Sequence, residues 1–317
     1  MKLSALLPAT AMALILSACA PEEAPAPEPT PTATPEATPT PDVSETPTAT
    51  ASDDVLSFMI GDLEATALLD GGFTMPVSES PFAAEQTAEE ISAALEDAGV
   101  ESATLSLALH PLLVKTPDGV ILFDSGTGGP PAGALMSSLD DAGIDPADVT
   151  DILISHSHFD HVGGLATSGG ELIFPNATIR MSAPEWEFMQ ANEQQAILVG
   201  AITPKVETFE PDAEIIPGVV TAVEVAGHTP GHSAFRLGAG DDTLLYIGDS
   251  MHHYVISVQH PGWKIAFDTD EPTARASREA LLAELAESGE PIYAFHFPFP
   301  GIGHIEMADD GFVYVED

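Results

Sequence analysis

Cations, cysteine and long apolar runs are scarce in this sequence, and each scarcity narrows what the chain can do. Eight Lys and Arg face 50 Asp and Glu over 317 residues, a formal net charge of −42 at pH 7. Proteins bind nucleic acid through clustered cations that displace phosphate counterions. No nucleic-acid partner is therefore expected, and a nuclease fits poorly. Cys19 is the only cysteine, so no disulfide forms within the chain. The acidic excess reads as a solvated surface suited to solubility or to salty surroundings. Hydrophobic residues still make up 44% of the chain, enough for one large domain with a substantial core.

The start, MKLSALLPATAMALILSACA, carries Lys2, an apolar stretch to Leu16 and small residues before Cys19. It is too short and wrongly flanked for a stable membrane span and reads as a secretory signal. Leu16-Ser17-Ala18-Cys19 resembles the bacterial lipobox. That resemblance implies a lipidated Cys19 and an address in the bacterial cell envelope, anchored at the outer membrane, periplasm or cell surface. The following Pro, Thr, Ala and Glu repeats cannot bury enough apolar surface to offset their ordering entropy. The expected organisation is a lipoprotein signal peptide over 1–18, a disordered tether over 19–52 and a folded domain over 53–317.

From Val55 the chain becomes patterned. VLSFMI and LEATALL flank Gly61-Asp62, a hairpin signal. LSLALHPLLVKT and GVILFDSG read as a second strand pair joined at Pro117-Asp118-Gly119. A helix is expected around Ala132 to Ala142, ended by Gly143, then a buried strand over Asp151 to Ser155. ATIRMSA, PEWEFMQAN, VVTAVEVAG, SAFRLGAG and TLLYIGDS continue the strand and helix alternation. A helix from Pro272 to Ser288 takes Asp270 as cap, Leu281, Leu282 and Leu285 as apolar face and Gly289 as stop. PIYAFHF and GFVYVE supply final strands. The order predicts a layered α/β domain with chemistry on loops at strand ends.

The densest chemical signal is ILISHSHFDHVGG, residues 152 to 164. His156 and His158, two residues apart, can converge on one ion, while Asp160 and His161 can turn to a second. So many costly ionisable groups at the end of an apolar strand require a compensating charge. Gly227-His228-Thr229-Pro230-Gly231-His232, Gly248-Asp249-Ser250 and His296 each follow an apolar strand as well, where a sheet would present them to one face.

HSHFDH, GHTPGH, GDS and the late histidine, in this order, resemble the metallo-β-lactamase superfamily from about Leu56 to the C-terminus. The fold implied is an α/β four-layer αββα sandwich with metals at one edge. Phe174-Pro175-Asn176, GHTPGH and the stretch Phe299 to Ile305 are more closely similar to the methyl parathion hydrolase group and related quorum-quenching lactonases. The resemblance implies two divalent ions, zinc by donor type, although manganese, iron or cobalt also suit His/Asp sites. It places one ion on His156, His158 and His228, the other on Asp160, His161 and His296, and Asp249 between them. Asp124 matches a position that orients a ligand histidine.

The implied chemistry is attack by a hydroxide shared between two cations on an acyl or phosphoryl centre, with Asp160 or Asp249 placed to pass a proton to the leaving group. His232 and His304 read as orienting hydrogen-bonders. His252 and His253 read as wet loop residues or, alternatively, as substrate contacts. Trp186, with Phe188 and Met189, is a candidate apolar wall over the metals. The superfamily's cysteine-containing β-lactamase subclasses are excluded, because Cys19 is the sole cysteine. The seven cations after the signal leave little to hold a substrate carboxylate. The expected substrate is a small neutral ester, lactone or phosphotriester, with N-acyl-homoserine lactones as the natural class. A β-lactamase, a glyoxalase II-like thioester hydrolase and an iron-dependent oxidoreductase of the same fold stay open as alternatives. So does a homodimer.

Overall fold

Short apolar runs separated by tight turns pair into two seven-stranded sheets. The structure is a computed structural model that describes residues 54–128, 133–240, 242–308 and 311–317. The expected signal peptide, Cys19 and the tether lie outside the described residues. No helix among the described residues is long and apolar enough to cross a membrane.

The first sheet has the order β1 (Val55–Ile60), β2 (Leu63–Leu68), β5 (Leu112–Thr116), β6 (Gly119–Phe123), β7 (Val149–Leu153), β8 (Thr178–Ser182), β9 (Val206–Phe209). The second runs β10 (Glu214–Ile216), β11 (Val220–Glu224), β12 (Ser233–Ala239), β13 (Asp242–Tyr246), β14 (Ile292–Tyr293), β15 (Ile302–Ala308), β16 (Gly311–Glu316). A ribbon of β3 (Gly71–Pro76) and β4 (Thr104–Leu109) stands apart. Gly61 turns the first hairpin at φ 54°, a conformation that suits glycine. β6 to β9 are parallel, as are β13 and β14, so several carboxyl ends gather at one edge.

Ile121, Phe123, Phe235, Tyr246, Tyr293 and Phe295 fill the space between the sheets. Helices α2 (Leu135–Asp141), α4 (Ala183–Ala191) and α5 (Ala196–Ile202) cover the outer face of the first sheet through Leu135, Leu139, Met189 and Ile202. Helices α6 (Ile256–Gln259) and α7 (Glu271–Ser288) cover the second through Val258, Leu281, Leu282 and Leu285. These layers form the expected αββα sandwich. α7 begins at Asp270, whose side chain accepts from the Thr273 amide, and ends at Gly289 in the left-handed region, as its sequence predicts. α1 (Ala88–Asp97) packs on the ribbon through Ile91 and Leu95.

One expected strand divides. LSLALHPLLVKT breaks at His110-Pro111: β4 pairs with β3, whereas β5 pairs with β2 and β6. Pro111 has no N–H to give to a ladder, and its carbonyl instead accepts from Leu68. His110 turns into the core, with Nδ1 3.1 Å from the Tyr293 hydroxyl and Nε2 2.9 Å from the Phe297 carbonyl.

Burial lowers the His110 pKa from 6.5 to about 4. Because the unfolded chain takes up this proton first, stability present above pH 6.5 is lost as the pH falls towards 4. The loss amounts to at most about 3 kcal/mol from this residue. His110→Gln should therefore flatten the fall in unfolding free energy measured in urea between pH 7 and 4. An unchanged pH dependence would show that His110 does not titrate as its burial requires.

Candidate metal centre

The candidate ligands stand in the segments that follow the carboxyl ends of strands. His156 follows β7, and His158 precedes the short helix α3 (Phe159–Val162), which carries Asp160 and His161. The glycines that follow are required by close approach: a Cβ on Gly164 would collide with the Ser125 carbonyl. His228 lies between β11 and β12, Asp249 follows β13, and His296 follows β14. Parallel pairing of β6 with β7, and of β13 with β14, brings these ends together.

Two groups of ligand atoms result. His156, His158, His228 and Asp249 form one, and Asp160, His161 and His296 the other, with atoms in each within 4.8 Å of one another. His158 Nδ1 is 3.0 Å from His156 Nε2 and 2.9 Å from His228 Nε2. Asp249 joins the groups. Its Oδ2 lies 3.5 Å from His156 Nε2 and 3.3 Å from His228 Nε2, and its Oδ1 lies 3.1 Å from His161 Nε2 and 3.2 Å from His296 Nε2. Asp160 Oδ2 is 3.5 Å from His296 Nε2 and 3.8 Å from His161 Nε2.

Outer partners fix these rings. Asp124 accepts from His161 Nδ1 at 2.7 Å, and also from Ser155 and the Tyr246 hydroxyl. The His296 Nδ1–H donates to the Ala108 carbonyl. His232 Nε2 accepts from the Asp249 amide at 2.9 Å. With these outer nitrogens so occupied, the facing nitrogens are the ones that could hold an ion.

Electrostatics divides the histidines. Burial opposes protonation of His161, but Asp249, Asp124 and Asp160 outweigh it and push its pKa well up. Burial is likewise outweighed at His228 by Asp249 and Asp268, and at His296 by Asp249 and Asp160. Burial, followed by the neighbouring His228, lowers His158 to about 4. Asp249 is held well below the usual carboxylate range, because the surrounding imidazoles outweigh its burial. Among the described residues His161 Nε2, Asp249 Oδ1 and both ring nitrogens of His252 are buried without a hydrogen-bond partner. A buried donor set of this kind, nitrogen and carboxylate oxygen with unsatisfied atoms facing inward, fits divalent cations.

Several expectations change. His252 and His253 are buried, not wet: His252 Nε2 lies 3.1 Å from Asp249 Oδ2 with its ring 5.1 Å from that of Phe82. His253 turns away, its Nδ1 accepting from the Val255 and Ile256 amides, and it stacks on Tyr254. His304 is remote in role, pairing on β15 with Asp317 and Glu306. Strand alternation explains this, since Gly303 and Ile305 point inward and His304 outward. Trp186 and Met189 pack in the core under the outer helices, so they form no wall over the cluster. The wall consists of Phe73, Phe82, Phe159 and Phe267, which line a pocket of about 300 Å³ with His158, Asp160, His228, Asp249, His252 and His296. A groove of about 740 Å³ shares Phe159 with it.

Two residues escaped the sequence reading. Glu185 is fully buried and accepts from the Ser157 amide and hydroxyl, the Thr229 hydroxyl and the Gly231 amide, tying the two histidine loops together. Asp268 Oδ1 lies 3.0 Å from His228 Nδ1. Acids beside helix starts read as caps, and nothing local marks these two as buried.

The metallo-beta-lactamase superfamily profile matches residues 111–314. The chain belongs to that superfamily and has the fold of its metal-dependent hydrolases. An N-acyl homoserine lactonase of Bacillus sp. is 34% identical over 160 residues, covering 50% of this chain and 57% of the lactonase. The chain spans little more than half the length of the curated relatives it matches. Among solved structures, AidC, described as a dizinc quorum-quenching lactonase in complex with a product N-hexanoyl-L-homoserine, aligns with a TM-score of 0.77 at 30% identity, covering 84% of this chain and 99% of AidC. AbOPH, described as a hydrolase in the beta lactamase superfamily, aligns with a TM-score of 0.74 at 29% identity, covering 84% and 99%.

Proposed function

We propose that this chain is a dinuclear metal-dependent hydrolase of neutral esters and lactones, with N-acyl-homoserine lactones as its natural class and phosphotriesters as promiscuous substrates. The observation that carries this reading is the pair of ligand groups joined by Asp249 beneath an aromatic pocket. His156, His158 and His228 would hold one ion, Asp160, His161 and His296 the other, and Asp249 both. Two ions so held, zinc by donor type, supply Lewis acidity and an acidified water near neutral pH. The similarity to AidC supports lactones in particular.

The protein's own groups then divide the work. Phe73, Phe82, Phe159 and Phe267 exclude water and offer apolar surface to the substrate. Asp249 is nearly enclosed, whereas the Asp160 side chain is 29% exposed and faces the pocket. With Oδ2 turned to His296 and His161, the other carboxylate oxygen of Asp160 is the one available to pass a proton to the departing alkoxide.

Charge selects the substrate. No Lys or Arg lines the pocket. Lys115, Arg180, Arg236, Lys264, Arg275 and Arg278 are each engaged by a carboxylate. A neutral lactone or ester should show kcat/KM roughly tenfold above its carboxylate-bearing analogue, with a gap that narrows as salt is added. A panel of lactones, aryl esters, phosphotriesters, thioesters and β-lactams tests this. Faster turnover of anionic thioesters or β-lactams than of any lactone would refute the assignment.

A further inference from the structure

Arg278 has the largest fully buried side chain among the described residues. An apolar residue on that face of α7 would continue the packing of Leu281, Leu282 and Leu285. Burying a guanidinium in its place carries a desolvation penalty that packing does not require. Its three hydrogen bonds reach three separate segments. Nε donates to the Ser250 carbonyl at 2.9 Å, Nη1 to the Pro261 carbonyl at 3.0 Å, and Nη2 to Asp268 Oδ2 at 3.0 Å.

Two of those segments belong to the cluster. Ser250 adjoins Asp249. The other oxygen of Asp268 takes the Nδ1–H of His228, and the next residue, Thr269, donates through its amide and hydroxyl to the His228 carbonyl. With Nδ1 occupied as a donor, Nε2 of His228 is the nitrogen turned into the cluster, 3.3 Å from Asp249 Oδ2 and 2.9 Å from His158 Nδ1. A planar fork with fixed donor directions can hold Asp268 and the Asp249 turn at one separation. A lysine, with one nitrogen, cannot span the same acceptors.

We infer that Arg278 is a positioning residue of the metal centre, holding Asp268 against His228 and the turn that carries Asp249 in a single guanidinium fork. The inference rests on the reading of His228 and Asp249 as metal ligands.

The test compares the parent chain with Arg278→Lys and with the double variant Asp268→Asn/Arg278→Met. The double variant removes both buried charges together, a change that buried ion pairs commonly tolerate. Zinc per chain and zinc affinity are measured by chelator competition, and the metal-stripped proteins are melted in parallel. In both variants at least one of the two zincs should bind roughly 10–100-fold more weakly. The stripped double variant should melt at or near the parent temperature. A role confined to packing would move the melts and leave zinc affinity alone. A folded double variant, or a folded Arg278→Lys, that binds both zincs as tightly as the parent overturns the inference. A parent chain that binds fewer than two zincs instead overturns the dinuclear reading beneath it.

Discussion

Asp249→Ala is expected to lower kcat/KM by at least roughly 100-fold and to cost the protein at least one metal ion. This carboxylate reaches nitrogens of both ligand groups. Its two oxygens lie 3.1–3.5 Å from ring nitrogens of His156, His161, His228, His252 and His296. Alanine leaves those imidazoles crowded together without their central anion, so both the separation of the two sets and the charge that draws cations in are lost. Excess zinc should restore little, because on the proposed assignment the missing group is itself a ligand. Metal analysis and steady-state kinetics on the folded variant check this. Two ions per chain with near-parental turnover would show that Asp249 joins nothing.

Asp124→Ala should have the second largest effect, and it should reach stability as well as the site. The side chain is fully buried and accepts from the Ser155 amide at 2.8 Å and hydroxyl at 2.7 Å, from His161 Nδ1 at 2.7 Å and from the Tyr246 hydroxyl at 2.7 Å. Each buried donor left without an acceptor costs roughly 1–3 kcal/mol, so a loss of at least about 3 kcal/mol is expected. Freed from Asp124, the His161 ring loses its fixed orientation, and metal affinity should fall roughly 10–100-fold. Asp124 also adopts φ 57°, which Asn tolerates better than Ala. Asp124→Asn should therefore lose less stability while still weakening metal binding. Denaturant unfolding combined with chelator competition separates the two effects. An alanine variant as stable as the parent that binds zinc equally well would contradict both.

The candidate ligands were legible because metal chemistry is written locally. HSHFDH places four donors in six residues after an apolar strand, and GHTPGH, GDS and His296 repeat the strand-end signature. The hairpin at Gly61-Asp62 and helix α7 were equally legible, since turn glycine, Asp270 and Gly289 act on their immediate neighbours. The pocket wall was not. Helical spacing in PEWEFMQAN shows that an apolar face exists but not which layer it meets, and Trp186 and Met189 met the first sheet's outer core. The actual aromatic lining comes from Phe73, Phe82, Phe159 and Phe267, residues far apart in sequence. His252 escaped for a related reason: Phe82 and the segment around it cover a loop that is polar in sequence. Asp268 and Glu185 act on loops 40 and 28 residues away in the chain, beyond any local pattern. His304 sits between Gly303 and Ile305 in β15, where strand alternation turns it outward.

Zinc titration of the metal-stripped chain, followed by opening of an N-acyl-homoserine lactone, tests the central claim most directly. The stripped protein should remain folded and leave the lactone intact, and activity should rise with added zinc until it saturates at two ions per chain. A folded, metal-free chain that opens the lactone at the full rate, or one that binds two zincs and leaves the lactone closed, would contradict it.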